Sequence, residues 1–480
     1  MAAVALAVHA RTIAFGLTGL DDRDLVVGDH AFLADPRSLL QVFGRSYLHV
    51  VDASHAYWRP VVTASYVLDA QWSGERAAGF HATNVVLNAV ASVLVLAMLR
   101  RFGVGRTLAF AGALVFAVHP ALAEAVAWIP GRNDLLLAVL SLGAWLCLRR
   151  GKVTAHLVLF GLALMTKETA LALPMIWVAE RGLRGTLRRP WLLAAWTALV
   201  VARVLAHPAA PHGTADELLA NVAVFPAALA AIALPVKPVV LGVVGDLPVV
   251  PGLAVAVVVG LVAWKARGVR RRAVAAGAVA FAFLLAPSAV VPGTLVLACR
   301  FVLPAFGVLV VAAELARAAS IERRAVAAFG GVVVTALALL TVSFEGAFHD
   351  ERAFAREAVD DAPRSPLAHV CLGQVYQRAG EDDRALAEYR AALAEGPAEV
   401  AHNDMAVIAM KRALWPDAER ELRAELAVNP GWATPYANLA IVLRRQERPA
   451  EACEAARRAI ALGRDDDAGG AEAARDCGGP

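Results

Sequence analysis

Apolar residues come in long blocks along this chain, separated by short charged connections. Blocks at 2–18, 79–99, 107–123, 134–148, 153–166, 169–180, 190–206, 249–264, 273–290, 295–315 and 325–344 are rich in Leu, Val and Ala. A helix crosses a bilayer with about twenty mostly apolar residues, and with fewer where neighbours cover it, so each block predicts a transmembrane helix. The connections alternate in charge. One set carries Arg100, Arg101 and Arg106, then Arg149, Arg150 and Lys152, then Arg181, Arg184, Arg188 and Arg189. It continues with Lys265, Arg267, Arg270, Arg271 and Arg272, and with Arg317, Arg323 and Arg324. The other set nearly lacks basic clusters, and the positive-inside rule assigns the basic set to the cytoplasm. Residues 215–235 are also apolar, but a crossing there would turn the cluster around Arg270 outward. They read as re-entrant or as lying along the outer surface. That leaves eleven spans, a cytoplasmic N-terminus and an external C-terminal region.

Two polar regions complete the plan. Residues 20–78 form an external loop holding Asp21, Asp22, Asp24, Asp29 and Asp35 together with Tyr57, Trp58, Arg59 and Pro60; aromatics beside arginine suit a membrane interface. From about Phe348 the chain becomes charged, Ala-rich and amphipathic, with a repeat of roughly 34 residues of the tetratricopeptide kind. Leu372, Gly373, Tyr376, Gly380, Ala385, Tyr389, Ala392 and Pro397 mark a first copy. Met405, Ala406, Ala418, Leu422 and Pro430 mark a second, and Leu439, Ala440, Ala452, Ala456 and Ala459 a third. Small residues at such positions let paired helices pack closely. The expected organisation is all-α: a polytopic bundle over 1–345, a tetratricopeptide solenoid over 346–463, and a disordered Gly- and Asp-rich tail over 464–480.

Composition agrees with a membrane chain. Hydrophobic residues make up 59% and charged residues 18%, with mean hydropathy +0.57, where soluble domains are about half apolar and a quarter charged. A net charge of +4 in short clusters gives no broad basic surface for nucleic acid. The five cysteines, Cys147, Cys299, Cys371, Cys453 and Cys477, form no CxxC pair and no metal-ligand spacing, so neither a disulfide framework nor a zinc site is indicated.

Ionisable residues near membrane depth are costly and point to function. The topology gathers many at external span ends: Asp21 and Asp22, Arg59, His81 and Asn84, His119, Glu124, Arg132 and Asp134, then Lys167 and Glu168, with Arg300 inside an apolar run. Each has a plainer reading. The aspartates suit a solvated loop, Lys167 and Glu168 a snorkelling pair, and His119 with Pro120 a helix end. Arg300 resists one, because a lone arginine among Leu, Ala, Phe and Val needs an anion. Together they form a site for an anionic, lipid-like substrate at the membrane–water boundary. His81, His119, Glu124 and the aspartates show no helical ligand spacing, and no metal site is assigned.

In order, Leu20-Asp21-Asp22, Tyr57-Trp58-Arg59-Pro60, Gly79-Phe80-His81-Ala82-Thr83-Asn84, Phe116-Ala117-Val118-His119-Pro120 with Glu124 through Asp134, Thr166-Lys167-Glu168-Thr169-Ala170 and Arg300-Phe301-Val302-Leu303-Pro304 resemble the membrane O-mannosyltransferase-like proteins with tetratricopeptide repeats, of the GT-C glycosyltransferase superfamily. Cys299 and Asn88 depart from that pattern, which usually has an acid and a histidine there. The resemblance implies a GT-C bundle and transfer of a sugar, mannose or another hexose, from a polyprenyl-phosphate donor to a protein Ser/Thr or other acceptor outside the cytoplasm. It implies no cofactor and leaves a divalent metal open. Asp22 or Asp21 would take the acceptor proton. Arg300, with Arg59, Arg132 or Lys167, would neutralise the leaving phosphate, and a polypeptide would lie in the repeat groove. Two other classes compete: a non-catalytic scaffold for envelope proteins, which leaves Arg300 and the acids without purpose, and a lipid-linked sugar transporter, for which no inverted repeat is visible.

Overall fold

The computed structural model describes residues 1–47, 57–206, 214–290, 295–398 and 400–462. The expected tail, 464–480, lies outside the described residues, as does the middle of the 20–78 loop. The described chain is helical apart from one short antiparallel pairing of Gly242–Val243 with Leu295–Val296. It divides into two compact units, Met1–Phe354 and Ala355–Pro480.

Among the described residues of the first unit, six helices are long and apolar enough to cross a membrane: Ala77–Arg101, Ile129–Arg149, Ala215–Ala233, Arg271–Val290, Ala298–Ala318 and Arg323–Phe348. A bent pair, Arg106–Ala117 and Pro120–Ala127, makes a seventh candidate. Ala2–Ala14, Val153–Leu164, Pro190–Ala206 and Val249–Lys265 are apolar but shorter, and Leu173–Arg181 has only 9 residues. The apolar blocks therefore fold as helices, but unequally. Residues 215–233, which charge alternation had set aside, are long enough to cross. Their helix packs hard against the next: a Cβ on Gly252 would sit 1.7 Å from the Pro226 carbonyl oxygen, so only glycine lets the two backbones touch.

The 53° bend has a local cause. Pro120 has no N–H and disfavours helical geometry at His119, which is extended and caps the following helix by accepting the Ala121 N–H at 3.2 Å. The break frees carbonyls that lipid cannot satisfy, and neighbouring helices take them. Ala117 O receives Asn88 Nδ2 at 3.2 Å and lies 2.9 Å from His9 Nε2, while Thr341 Oγ1 donates to Val118 O at 2.7 Å. His9 also pairs through Nδ1 with Glu345; both are buried. The first helix and the last span of the unit thus close on one kink. A second break, at Trp128 to Gly131, exposes carbonyls that Asn84 Nδ2 gathers, Trp128 O at 3.1 Å and Ile129 O at 3.3 Å. A Cβ on Gly131 would lie 2.5 Å from the Ala125 Cα, so this turn too needs glycine.

The second unit contains three successive helix pairs: Pro366–Arg378 with Asp382–Glu395, Ala401–Lys411 with Trp415–Val428, and Ala433–Arg445 with Pro449–Ala461. Ala385, Tyr389, Ala392, Ala406, Ala418, Leu422, Ala440, Ala452, Ala456 and Ala459 are all buried. The Tyr389 ring fills the space over Gly373, where a Cβ would meet it at 2.5 Å. His369 to Glu388 at 2.7 Å and His402 to Glu421 at 2.8 Å repeat one polar link in the first two pairs.

Candidate active site

The two acids after the first helix have different surroundings. Asp22 is fully buried, and its Oδ2 accepts the Thr18 N–H at 2.7 Å and the Thr18 hydroxyl at 3.0 Å. Its Oδ1 is buried without a hydrogen-bond partner. Burial lifts this carboxyl to about 7. Asp21 is half-buried and lies within the fields of Asp24, Arg59 and Arg300. Burial, then Asp24, raises it to about 6 against the pull of the two arginines.

Arg59 stands immediately before Pro60, which opens the helix Pro60–Ser73 and keeps position 59 out of helical geometry. The guanidinium lies over the rings of Tyr47 at 5.2 Å and Tyr57 at 5.0 Å, and its Nη2 reaches Glu168 Oε2 at 3.3 Å. Arg203 Nη2 approaches the other Glu168 oxygen at 3.5 Å and stacks over Trp58 at 5.0 Å. Next to Glu168, Lys167 Nζ donates to both oxygens of Asp134 at 2.7 Å each. Glu124, carried inward by the bend, accepts the Ala298 N–H at 2.9 Å through Oε2 and also bonds Cys299.

That bond orients the turn Ala298–Phe301, on which Arg300 stands. Its Nη1 is buried and has no hydrogen-bond partner. Among the described residues, the neighbouring cations each have a carboxylate and Arg300 has none. A narrow crevice lined by Ala227, Ala231, Val236, Lys237, Val296 and Phe301 adjoins the same turn through Ala298. A guanidinium with a buried, unpartnered Nη1 has the chemistry to hold an anionic headgroup.

Asp21, Arg59, Glu124, Asp134, Lys167, Glu168 and Arg300 therefore surround one region. Four other sequence candidates serve the scaffold around it. Arg132 is fully buried and saturated: Nε donates to Asn84 Oδ1 at 2.9 Å, Nη2 to Phe80 O at 2.6 Å, and Nη1 lies 2.5 Å from Asp69 Oδ2. Asn84 is spent on that arginine and on the second break. His81 Nε2 sits 3.2 Å from Gly16 O, and His119 caps its helix. Sequence reasoning missed Arg203, although it stands alone among Leu199, Val200, Val201, Val204 and Leu205, the same signal that singled out Arg300. It also missed Tyr47 and Asp69, which nothing local distinguishes. Among the described residues, no group of three or more His, Cys, Asp or Glu is arranged to hold a metal ion.

No family model matches the chain. Among curated proteins, 129 residues are 38% identical to the protein O-mannosyl-transferase Tmtc1 of Drosophila melanogaster, covering 25% of this chain and 15% of that one. A stretch of 98 residues is 41% identical to mouse TMTC1, covering 20% and 10%. A third, of 130 residues, is 31% identical to the protein O-mannosyl-transferase F38B6.6 of Caenorhabditis elegans, covering 26% and 19%. The matches thus span less than a fifth of these relatives' length. Over those stretches the chain resembles the membrane O-mannosyltransferase-like proteins with tetratricopeptide repeats, the resemblance that its motifs carry.

Proposed function

We propose that this chain is a membrane glycosyltransferase that moves a hexose, mannose in the first instance, from a polyprenyl-phosphate donor to a hydroxyl of a protein acceptor. The observation that carries the reading is Arg300, whose buried Nη1 lacks a partner within the field of the Asp21 carboxylate. In the reaction the acceptor oxygen bonds the anomeric carbon as the bond from that carbon to the phosphate oxygen breaks. The acceptor proton passes to Asp21, and the electron pair leaves on the phosphate, whose growing charge Arg300 neutralises. A base in this position contributes about two to four orders of magnitude in rate, and a charged hydrogen bond in a dry site is stronger than one in water. A single displacement inverts the anomeric centre.

Arg59 and Lys167 are held by Glu168 and Asp134, so their role in this reading is to shape the positive rim. The same reading takes the bent pair and the shorter apolar helices, Leu173–Arg181 among them, as spans with the long ones other than Ala215–Ala233, as a GT-C bundle, places the site on the external face, and takes the second unit as a tetratricopeptide solenoid that presents the acceptor polypeptide. The test is transfer of labelled mannose from polyprenyl-phosphate mannose to a Ser/Thr peptide by the purified full chain in detergent. Turnover should be present in the wild type and lost in Asp21→Asn. A wild type that binds the donor yet transfers to no hydroxyl acceptor sinks the enzymatic reading.

A further inference from the structure

A second charged cavity lies among the basic connections. It has a volume of about 520 Å³ and is lined by Arg101, Phe102, Arg149, Arg270, Arg271 and Arg272, with Glu180 as its acid. That volume is in the range of about 300–1,000 Å³ typical of small-ligand sites. Three membrane-capable helices end here: Ala77–Arg101 and Ile129–Arg149 by their C-termini, and Arg271–Val290 by its N-terminus.

The charges in the lining do not cancel. Glu180 is taken by Arg149 and by Trp145 Nε1, the latter at 2.6 Å. Arg149 is further fixed by the Phe102 ring, 4.6 Å beneath it, and by the Arg101 carbonyl at 2.6 Å. Arg270 is taken by Glu314, through its N–H at 2.7 Å and Nε at 2.8 Å. The side chains of Arg101, Arg271 and Arg272 have no carboxylate on them among the described residues. Two of the three stand in the first turn of a 20-residue helix, whose end is already partly positive. Like charges gathered at a positive helix end repel unless an anion joins them.

We infer that this cavity binds the phosphate headgroup of an anionic membrane lipid. Basic pockets between helix ends, at the face where basic connections gather, recognise such headgroups. Arg270 and Arg149, already held by acids, form rigid walls, and Arg101, Arg271 and Arg272 supply the free donors. The site is distinct from the Asp21–Arg300 region, and its occupancy does not depend on the proposed transfer activity.

The experiment uses the full chain reconstituted in phosphatidylcholine vesicles, alone or doped with phosphatidylglycerol, and the chain in detergent with inorganic phosphate. Phosphatidylglycerol should raise Tm by several degrees over phosphatidylcholine and remain bound in native mass spectra. Arg271→Gln with Arg272→Gln should weaken its binding on the order of thirtyfold, at about fivefold per basic side chain near an anionic surface. Arg271→Lys with Arg272→Lys should retain most of it. Arg323→Gln with Arg324→Gln removes the same charge at another helix start and should change nothing. Equal binding in the Arg271/Arg272 glutamine variant, or an equal effect of phosphatidylcholine alone, overturns the site. A full shift with inorganic phosphate, unexceeded by lipid, overturns the lipid source and assigns the cavity to a soluble phosphate.

Discussion

Asp22 is held by Thr18, four residues before it, through two hydrogen bonds to the same carboxylate oxygen. The adjacent Asp21 is left to the fields of Arg59 and Arg300. The sequence left the base as Asp22 or Asp21, and this geometry favours Asp21. Asp21→Asn should lower transfer by about two to four orders of magnitude without lowering Tm. Asp22→Asn retains an oxygen for Thr18 and should cost less than about tenfold, the loss of one strong contact's worth of barrier. Full turnover in the Asp21 variant, measured beside the Asp22 variant, would move the base elsewhere.

Stability and catalytic rate should follow opposite pH trends. Burial raises both carboxyls, to about 6 for Asp21 and about 7 for Asp22, from an ordinary 3.8. A group raised in the folded state favours folding while it is protonated in both states. That contribution is complete below about pH 4 and is lost as pH rises through 6 and 7. A base must instead be ionised, so kcat/KM should climb through about pH 6. Thermal melts and rates collected across this window on wild type and Asp21→Asn check both slopes. A flat rate profile in the wild type argues against Asp21 as base.

Arg300 and Arg132 should fail differently. Arg300 has an orphaned Nη1, so Arg300→Leu should keep its melting temperature and lose affinity for polyprenyl-phosphate sugar by tenfold or more, about 1.4 kcal/mol. Arg132→Leu strands Asp69 and Asn84 in a dry interior and should destabilise the fold by about 3–5 kcal/mol. Tritiated-donor binding and melts on both proteins separate the roles. Reduced stability with intact donor affinity in the Arg300 variant would make it structural as well.

The second unit should lie outside the cytoplasm. An alkaline phosphatase fused after Leu462 should be active and a fluorescent cytoplasmic reporter at the same point dark. The opposite pattern would add one crossing, for which residues 215–233 are the available helix.

Much of the fold was written in the apolar blocks, because twenty hydrophobic residues in lipid have few alternatives to a helix. Where the reading fell short, partners were distant in sequence. Arg132 looked like a ligand because its acid, Asp69, lies 63 positions earlier in an ordinary amphipathic stretch, and no local pattern links the two. Lys167 and Asp134 were both chosen, yet their mutual bond at 2.7 Å was not legible. Arg300 was legible for the converse reason: no residue in its own helix could neutralise it, and none from elsewhere arrived. Arg203 carried the same signal in an equally apolar run, yet its acid, Glu168, lies 35 positions earlier.

The His9–Glu345 pair, 336 residues apart, sets an order of events on the ribosome. At roughly 5–20 residues per second, tens of seconds separate the emergence of its two halves. Through that interval the first helix already packs on Ala77–Arg101, but the kink at His119 has neither Glu345-anchored His9 nor Thr341 to cover its carbonyls. Capping of that kink is therefore among the last events of the unit's assembly: carbonyls made early in synthesis wait for the helix made last.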